Sequence, residues 1–268
     1  MDSFIIQDFK FFAPIKLGEK DTFAHSDTGA IGNMLAASES EGLRQIESRV
    51  MQGGMGQQEV RQVQIDTLEF LEKSFADQTA VVIDGEAYFG DVPFPVSMTL
   101  GADVLLAHPL ILDFKRMWIG YAEKPLKENL PRFTMETPSG LPFVKMRFGA
   151  QEANTIFDTG AGYSILNANH VEELGVQMEQ VYALEVLDPA GGKGEIPIYR
   201  VEGLHMGDLE LGLCEAFVVS LEPIEERLDK RIDFVLGANT MLGSGWVWVL
   251  DKAQNAVLIS ERSIDMYG

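Results

Sequence analysis

The 268-residue chain has little cysteine and little histidine. Cys214 is the single cysteine, which excludes a disulfide within the chain and favours a reducing, cytoplasmic setting. The apolar residues around it predict a buried, unreactive thiol. The histidines show no spacing typical of a metal site, so we expect neither a metal nor an organic cofactor; they are His25, His108, His170 and His205.

Positive charge and long apolar runs are scarce as well. Lys and Arg number 21 against 41 Asp and Glu, which gives a formal net charge of −20. Such a surface repels phosphate backbones and is compatible with basic substrates, so we expect no nucleic-acid partner. No apolar run approaches the roughly 20 residues that span a bilayer, and the first residues lack the basic and apolar stretches of a secretory signal. We therefore expect no membrane contact.

The chain does contain a repeated segment, Asp-Thr-Gly-Ala, at residues 27–30 and 158–161. Each copy follows an apolar-x-apolar-Gly segment, at residues 15–18 and 146–149, after the same short spacing. The offset from Asp27 to Asp158 is 158 − 27 = 131. One such segment is unremarkable in a chain of this length, but two with matching flanks predict an internal duplication.

Further matches follow at a second offset, 136, as from Leu100 to Leu236. They align residues 65–70 with 201–206, 80–83 with 216–219, and 100–103 with 236–239, and Leu112 and Asp113 match Leu250 and Asp251 once two more residues are allowed. The duplication predicts a first domain at residues 1–121 and a second at 142–268. Residues 122–141, which are polar and contain three prolines, are predicted to form a linker whose latter part is a strand.

The apolar periodicity predicts mostly strands. Two glycine-rich segments, residues 52–57 and 188–194, fit the tips of β-hairpins. Read alone, residues 38–51 also fit an amphipathic helix, whereas the repeat predicts a hairpin arm at 46–52. We rely on the repeat for 46–52 and leave the residues before it open.

These motifs resemble the retropepsin-like aspartic peptidases, fused in tandem as a bacterial-type, single-chain aspartyl protease. The resemblance covers about residues 12–121 and 142–260. It rests on residues 157–166, 188–194 and 234–239 in the second copy and on residues 26–35, 53–56 and 99–103 in the first. It implies an all-β fold with two homologous β-barrel lobes, a central cleft, and a hydrolase activity on peptide bonds.

The resemblance implies that Asp27 and Asp158 are the catalytic pair of an endopeptidase. Two carboxyls about 3 Å apart cannot both ionise, so they share one proton and can activate a water between them. The implied supporting loop residues are Thr28, Gly29, Ala30, Thr159, Gly160 and Ala161, with the threonines hydrogen bonded across the interface. The implied flap and substrate-binding residues are Gly53, Gly54, Met55, Gly56, Ala190, Gly191, Gly192, Lys193 and Gly194.

The alanine after each Asp-Thr-Gly, where many pepsin-like enzymes have Ser or Thr, and two departures from the family pattern affect the expected chemistry. Ala30 and Ala161 lack the hydroxyl that would lower the pKa of the aspartates, so we expect an optimum at about pH 5 to 7. Ser26 stands where the second copy has Phe157, and Asn33 stands where the family usually has Ser or Thr. These differences predict either an asymmetric cleft or a first half that has diverged in activity.

Some readings stay open at this point. The alternative to an endopeptidase is a non-catalytic module that keeps the acid-protease fold and binds extended peptides. His25 either shares a face with Asp27 or is structural, and the second reading is favoured. The expected partner is a peptide or protein substrate. We expect a monomer with both halves in one chain, with a swapped dimer as the alternative.

Overall fold

Strands make up most of the computed structural model, which describes residues 2–52, 57–187, 193–262 and 266. Segments such as Lys10–Leu17, with the sequence KFFAPIKL, combine aromatic and aliphatic residues that suit a pleated and largely buried surface. The described helices are all short, of two turns or less. The prediction of a mostly β fold is therefore confirmed.

Twenty-three strands are described in these residues. They are β1 Asp2–Ser3, β2 Ile5–Gln7, β3 Lys10–Leu17, β4 Lys20–Ser26, β5 Asn33–Ala36, β6 Gln45–Gln52, β7 Gln57–Phe70, β8 Lys73–Ile83, β9 Val96–Leu100, β10 Leu110–Asp113, β11 Trp118–Tyr121, β12 Arg132–Glu136, β13 Phe143–Phe148, β14 Gln151–Phe157, β15 Ser164–Asn167, β16 Met178–Leu187, β17 Lys193–Val201, β18 Leu204–Met206, β19 Leu209–Glu210, β20 Cys214–Val219, β21 Phe234–Leu236, β22 Val247–Asp251 and β23 Ala256–Ser260. The α-helices are α1 Gly85–Phe89, α2 Ala102–Leu105, α3 Val171–Leu174, α4 Glu222–Leu228 and α5 Ala238–Ser244, and 3₁₀ turns lie at Ala37–Glu39 and Pro138–Gly140.

The strands form two hydrogen-bonded sheets. The smaller has eight strands in the order β2-β3-β4-β9-β5-β8-β7-β6, all of them between Ile5 and Leu100. The larger has fifteen and runs β1-β11-β10-β22-β23-β12-β13-β14-β21-β15-β20-β17-β16, with β18 and β19 paired beside β13. The larger sheet therefore joins strands from both halves of the chain.

The two halves meet where β10 pairs antiparallel with β22. Leu110 pairs with Leu250, Leu112 with Trp248, and Ile111 with Val249 in the middle. Flanking this pair, β1 and β11 lie on one side and β23 and β12 on the other. Six strands, three from before residue 122 and three from after it, thus form one continuous platform.

The pairing register repeats between the halves. Phe12 pairs with His25 in β3 and β4, and Phe143 pairs with Ile156 in β13 and β14, so both partners are shifted by the first offset. The same correspondence holds for other strands: Ser26–Leu100 with Phe157–Leu236, Asn33–Ala80 with Ser164–Ala216, and Gln62–Val81 with Ile198–Phe217. The two offsets read from the sequence are those at which these residues occupy equivalent positions in the sheets.

The main core is shared by both halves. It includes Leu100 and Leu112 from the first half and Leu236 and Trp248 from the second, all almost fully buried. Trp248 packs edge-on against the Phe157 ring, with 5.3 Å between ring centroids. Since the Leu100 and Leu236 carbonyls also accept hydrogen bonds from the two Asp-Thr-Gly-Ala segments, the core fixes the position of both segments at once.

The open reading of residues 38–51 is settled by the structure. Gln45–Gln52 is a strand paired with β7, so the hairpin arm is confirmed and the helical reading is wrong. A helix would leave β7 without this partner. No helix of the described residues is long and apolar enough to cross a membrane.

The buried Trp248 predicts a large effect of truncation. Trp248→Ala should lower the free energy of unfolding by about 3–5 kcal/mol, because it leaves a cavity against Phe157, next to Asp158. Trp118, on β11 of the same platform, is 39% exposed, so Trp118→Ala should cost about 1 kcal/mol or less. Urea denaturation followed by circular dichroism compares the two, and equal losses would contradict this account of the core.

Candidate active site

Two loops place the aspartates, each at the end of a buried strand. Asp27 follows β4 and Asp158 follows β14. The Asp27 backbone N–H donates to the Leu100 carbonyl (3.0 Å), and the Asp158 N–H donates to the Leu236 carbonyl (3.0 Å). Each loop is therefore fixed to the end of a neighbouring strand, β9 or β21, before its side chains interact.

The threonines of the two loops bond across to the opposite loop. The Thr28 hydroxyl donates to the Phe157 carbonyl (2.7 Å) and accepts from the Thr159 N–H (3.1 Å). The Thr159 hydroxyl donates to the Ser26 carbonyl (2.8 Å) and accepts from the Thr28 N–H (3.0 Å). Both threonines are almost fully buried, so these four bonds form with little competition from water.

The glycines allow the carboxyls to approach the opposite loop. A β-carbon on Gly29 would overlap the Asp158 carboxyl, and one on Gly160 would overlap the Asp27 carboxyl. Gly29 N–H donates to Asp27 Oδ1 (2.9 Å), while the N–H groups of Gly160 and Ala161 donate to Asp158 Oδ1 (2.8 and 3.1 Å). Glycine is thus needed at both positions for space rather than for an unusual backbone angle.

The two carboxyls perturb each other. Burial raises the pKa of Asp27 well above its usual range, and the neighbouring Asp158 carboxyl raises it further. Burial also raises the pKa of Asp158, although N–H groups that donate to it oppose this rise. Two neighbouring carboxyls in such a site disfavour the doubly ionised state, so the pair favours one shared proton.

Asn33 stands where the family usually has Ser or Thr, yet its side chain makes the same contact that a serine hydroxyl makes in the second half. In the second half the Ser164 hydroxyl accepts from the Gly237 N–H (3.0 Å). In the first half the Asn33 side-chain oxygen accepts from the equivalent Gly101 N–H (3.1 Å). Its amide nitrogen donates to Asp103 (3.2 Å), so the loop is supported by a different residue in the same geometry.

The asparagine side chain that supports the loop occupies different positions in the two halves, 33 in the first and 239 in the second. In the second half Asn239 donates to the Glu215 carbonyl (2.6 Å). In the first half the residue at the equivalent of Asn239 is Asp103, and Asn33 donates to the Thr79 carbonyl instead (3.3 Å). The departure at Asn33 is therefore compensated at Asp103.

His25 and Ser26 lie in the first half where the second half has Ile156 and Phe157. His25 is fully buried, and its ring stands 5.6 Å from the Phe12 ring. Neither ring nitrogen has a hydrogen-bond partner among the described residues, and burial lowers the pKa of His25 to about 3. The imidazole is thus neutral and packed as a core residue, which agrees with the structural reading.

Sequence reasoning did not identify Tyr88 as a residue of this region. Its ring lies 6.0 Å from that of His25, and burial together with the charges of Asp27 and Asp158 raises its pKa well above the usual value. Tyr88 belongs to α1, a segment that differs in composition from its partner in the second half, so the repeat gave no signal for it.

The flap residues are only partly described. Lys193 and Gly194 begin β17 and pair with Leu187 and Val186 of β16. The other flap residues predicted from the sequence lie outside the described residues; they are Gly53, Gly54, Met55, Gly56, Ala190, Gly191 and Gly192. The described arms, β6 with β7 and β16 with β17, each form an antiparallel hairpin.

The remaining candidates are Cys214 and a metal site. Cys214 is buried, as predicted, and burial raises the pKa of its thiol to about 11. Within the described ranges, no group of three or more His, Cys, Asp or Glu side chains is placed to hold a metal ion.

This geometry defines a mostly β protein in which a buried aspartate, Asp27, and a half-buried one, Asp158, approach each other on crossed loops. Residues 144–240 match the model of a family described as aspartyl protease, which supports assignment to an aspartyl protease family. The matched segment contains the second Asp-Thr-Gly-Ala copy and ends within α5. No curated protein matches the chain.

The threonine contacts predict a stability effect. Thr28→Val removes a hydroxyl that makes two bonds and leaves the Thr159 N–H and the Phe157 carbonyl buried without partners. We expect a loss of about 2–4 kcal/mol in the free energy of unfolding. Thr155→Val is the matched control, because Thr155 is also buried but its hydroxyl has only a 3.4 Å contact with a carbonyl. Similar losses in the two variants would argue against the crossed bonds.

The carboxyl pair predicts a stability effect that depends on pH. Because folding raises both pKa values, the pair's contribution to stability is present at low pH and is lost as the pH rises through the folded pKa. Asp158→Asn removes the second charge, so it should be more stable than the unmodified protein by about 1–3 kcal/mol at pH 8 and nearly equal at pH 4.

The control for this prediction is Asp233→Asn. The buried Asp233 carboxylate accepts hydrogen bonds from Arg231 Nε and the Asn154 N–H, both at 2.7 Å. Removing that charge should destabilise the protein at pH 8. Denaturant unfolding at both pH values measures the differences, and a destabilised Asp158→Asn at pH 8 would refute the assigned sign.

Proposed function

We propose that the protein is an aspartic endopeptidase in which Asp27 and Asp158 activate one water molecule. The observation that carries this proposal is the approach of two carboxyls across the crossed loops, each against the glycine of the opposite loop. The raised pKa of both groups favours a single shared proton. The aspartyl protease family match over residues 144–240 supports the same class of reaction.

The chemistry follows from the proton count. One carboxylate of the pair takes a proton from water as the water oxygen attacks the peptide carbonyl carbon, and its partner donates the shared proton to the carbonyl oxygen. The carboxyl that took the water proton then gives it to the amide nitrogen, a hydroxyl of the tetrahedral intermediate returns a proton to the other carboxylate, and the carbon–nitrogen bond breaks. Both products leave, and the pair retains one proton for the next cycle. Each half supplies one carboxyl, so neither half can perform this reaction alone.

The proposed architecture has two homologous lobes with a cleft between them. Residues 1–121 form the first lobe and residues 142–268 the second, and the connecting segment 122–141 contributes β12 to the shared platform. The repeated pairing register supports an origin by duplication, since the same pairing at two fixed offsets across so many strands is explained by a common template. The glycine-rich hairpins are proposed to close over the substrate as flaps.

The proposed active form is the monomer. Thr28 and Thr159 of the same chain bond to each other, so the pair is complete without a second copy. A swapped dimer would make the same contacts between chains. Solution mass measured by light scattering distinguishes these two forms, and a mass of about twice 29.6 kDa would favour the dimer.

The reaction predicts cleavage that depends on both carboxyls and on pH. The unmodified protein, incubated with a diverse peptide library from pH 4 to 8, should cleave peptides best at about pH 5 to 7, and Asp158→Asn should reduce kcat/KM by about 10²–10⁴-fold. A chelator should have no effect. A maximum below about pH 4 would contradict the role given to the alanines, and peptide binding without cleavage at any pH would favour the non-catalytic module.

Ala161 provides a further test of the pH dependence. Its N–H already donates to Asp158 Oδ1 (3.1 Å), and a serine side chain at this position adds a hydroxyl donor near the same carboxylate. Because a donor to the charged form lowers the pKa, Ala161→Ser should move the acidic limb of the kcat/KM profile to lower pH. An unchanged or higher acidic limb would contradict this reasoning.

A further inference from the structure

Four aromatic rings form a half-exposed cluster beside the second active-site loop. Phe9 and Tyr163 meet edge-on with 5.1 Å between ring centroids, and Tyr163 lies 5.5 Å from Phe217. The Tyr182 hydroxyl oxygen lies 3.2 Å from that of Tyr163. Phe9 is 36% and Tyr182 38% exposed, so ring surface remains open to solvent.

A carboxylate lies within this cluster. The Tyr182 hydroxyl also lies 2.6 Å from Glu215 Oε2, which accepts from it. Glu215 and Phe217 are two positions apart on β20, so their side chains point to the same face of the sheet. The Asn239 amide bonds to the Glu215 carbonyl and fixes this part of β20. We call these five residues the aromatic–Glu215 cluster: Phe9, Tyr163, Tyr182, Glu215 and Phe217.

The cluster adjoins the aspartate pair through a short stretch of chain. Tyr163 follows closely after Asp158, in the same loop that leads to β15. A β-carbon on Gly162 would lie 3.4 Å from the Asp8 carbonyl oxygen, so the turn between β2 and β3 rests directly on this loop. Tyr182 belongs to β16, an arm of the second glycine-rich hairpin. The cluster therefore occupies one end of the proposed cleft, between its floor and a flap arm.

The equivalent positions at the opposite end hold different groups. The register of the two halves places Gly32, Glu47, Thr79 and Val81 at the positions equivalent to Tyr163, Tyr182, Glu215 and Phe217. The turn equivalent to that of Phe9 is Pro138–Gly140, whose Gly140 faces Ile31 across the interface. The combination of four aromatic rings with the Glu215 carboxylate is therefore found at only one of the two equivalent ends of the proposed cleft.

We propose that the aromatic–Glu215 cluster is a substrate subsite for a cationic side chain, that of arginine or lysine. This inference rests on the proposed peptide-binding cleft. Aromatic faces attract cations, arginine also stacks on them, and a fixed carboxylate adds a charge-assisted hydrogen bond. The net charge of −20 attracts basic peptides toward the cleft. A peptide with a basic residue at this end is therefore bound in preference to its neutral analogue.

The test separates binding from cleavage by using the full-length Asp158→Asn chain. Each fluorescein-labelled short peptide carries one arginine or, in its matched control, one citrulline, which has nearly the same shape as arginine but no charge. In successive peptides this residue is moved along the sequence by one position. At one position the arginine peptide should bind about tenfold more tightly by fluorescence anisotropy, a size typical of a cation held by aromatic rings and a carboxylate. Equal binding of both peptides at every position overturns the subsite.

Two further variants identify the groups responsible. Glu215→Gln keeps an acceptor for Tyr182 but removes the charge, so it should abolish most of the arginine preference. Glu210→Gln removes one exposed carboxylate on β19, outside the cluster, and should leave the preference unchanged. Tyr163→Leu removes one aromatic ring but keeps the Glu215 charge, so it should reduce the preference for arginine. Equal losses in Glu210→Gln and Glu215→Gln would show that only net charge matters and would overturn the proposal.

Cleavage by the catalytically intact chain tests the proposed function separately. If arginine peptides are cleaved, Glu215→Gln should raise KM for them about tenfold and leave kcat nearly unchanged, because the subsite binds without touching the reacting atoms. An arginine preference in binding with no cleavage at any pH would contradict the endopeptidase and leave the subsite standing. No binding of any peptide would overturn both proposals.

Discussion

The structure depends on holding two acidic groups together where they would otherwise repel. Burial raises the pKa of both Asp27 and Asp158, and the neighbouring Asp158 carboxyl raises that of Asp27 further, which disfavours the doubly charged state. The opposing contribution comes from four buried hydrogen bonds between the loops, each worth about 0.5–1.5 kcal/mol, and from the platform in which β10 pairs with β22. Because Gly29 and Gly160 have no side chain, nothing separates the carboxyls once the loops cross. The strands, the core and the loops together hold the Asp27 and Asp158 carboxyls close to each other.

Much of this arrangement could be predicted from the sequence. An internal repeat shows which residues of the two halves are equivalent, even when no contact between them is known. The two offsets, 131 and 136, align the strands in the register that the sheets adopt, and they select a hairpin arm over a helix at positions 46–52. A local propensity pattern could not make that choice at 46–52, since the same residues satisfy a helical period; only the partner strand β7 decides between them.

The remaining features depend on contacts between residues far apart in the chain. The exchange of side-chain amide between Asn33 and Asn239 cannot be recognised at either position alone, since it needs the bonds to Asp103 and Glu215. Phe9 and Tyr163 lie in different halves, and their packing follows from the turn between β2 and β3 resting on Gly162. Periodicity and motif spacing carry no information about such pairs. The repeat even conceals them, because it aligns Tyr163 with a glycine.

The pairing of β10 with β22 also has a consequence for the order of folding. The strands that form the centre of the platform are about as far apart in sequence as the two aspartates, and closing such long loops loses entropy before any contact compensates. We therefore expect local hairpins such as β3–β4 and β13–β14 to form early and the platform to form late. A growing polypeptide that still lacks β22 and β23 already contains both aspartates, yet it has no platform to hold them together. Under the proposed function, hydrolytic capability thus arises only after β22 and β23 have been synthesised, so a chain that lacks them cannot digest its neighbours.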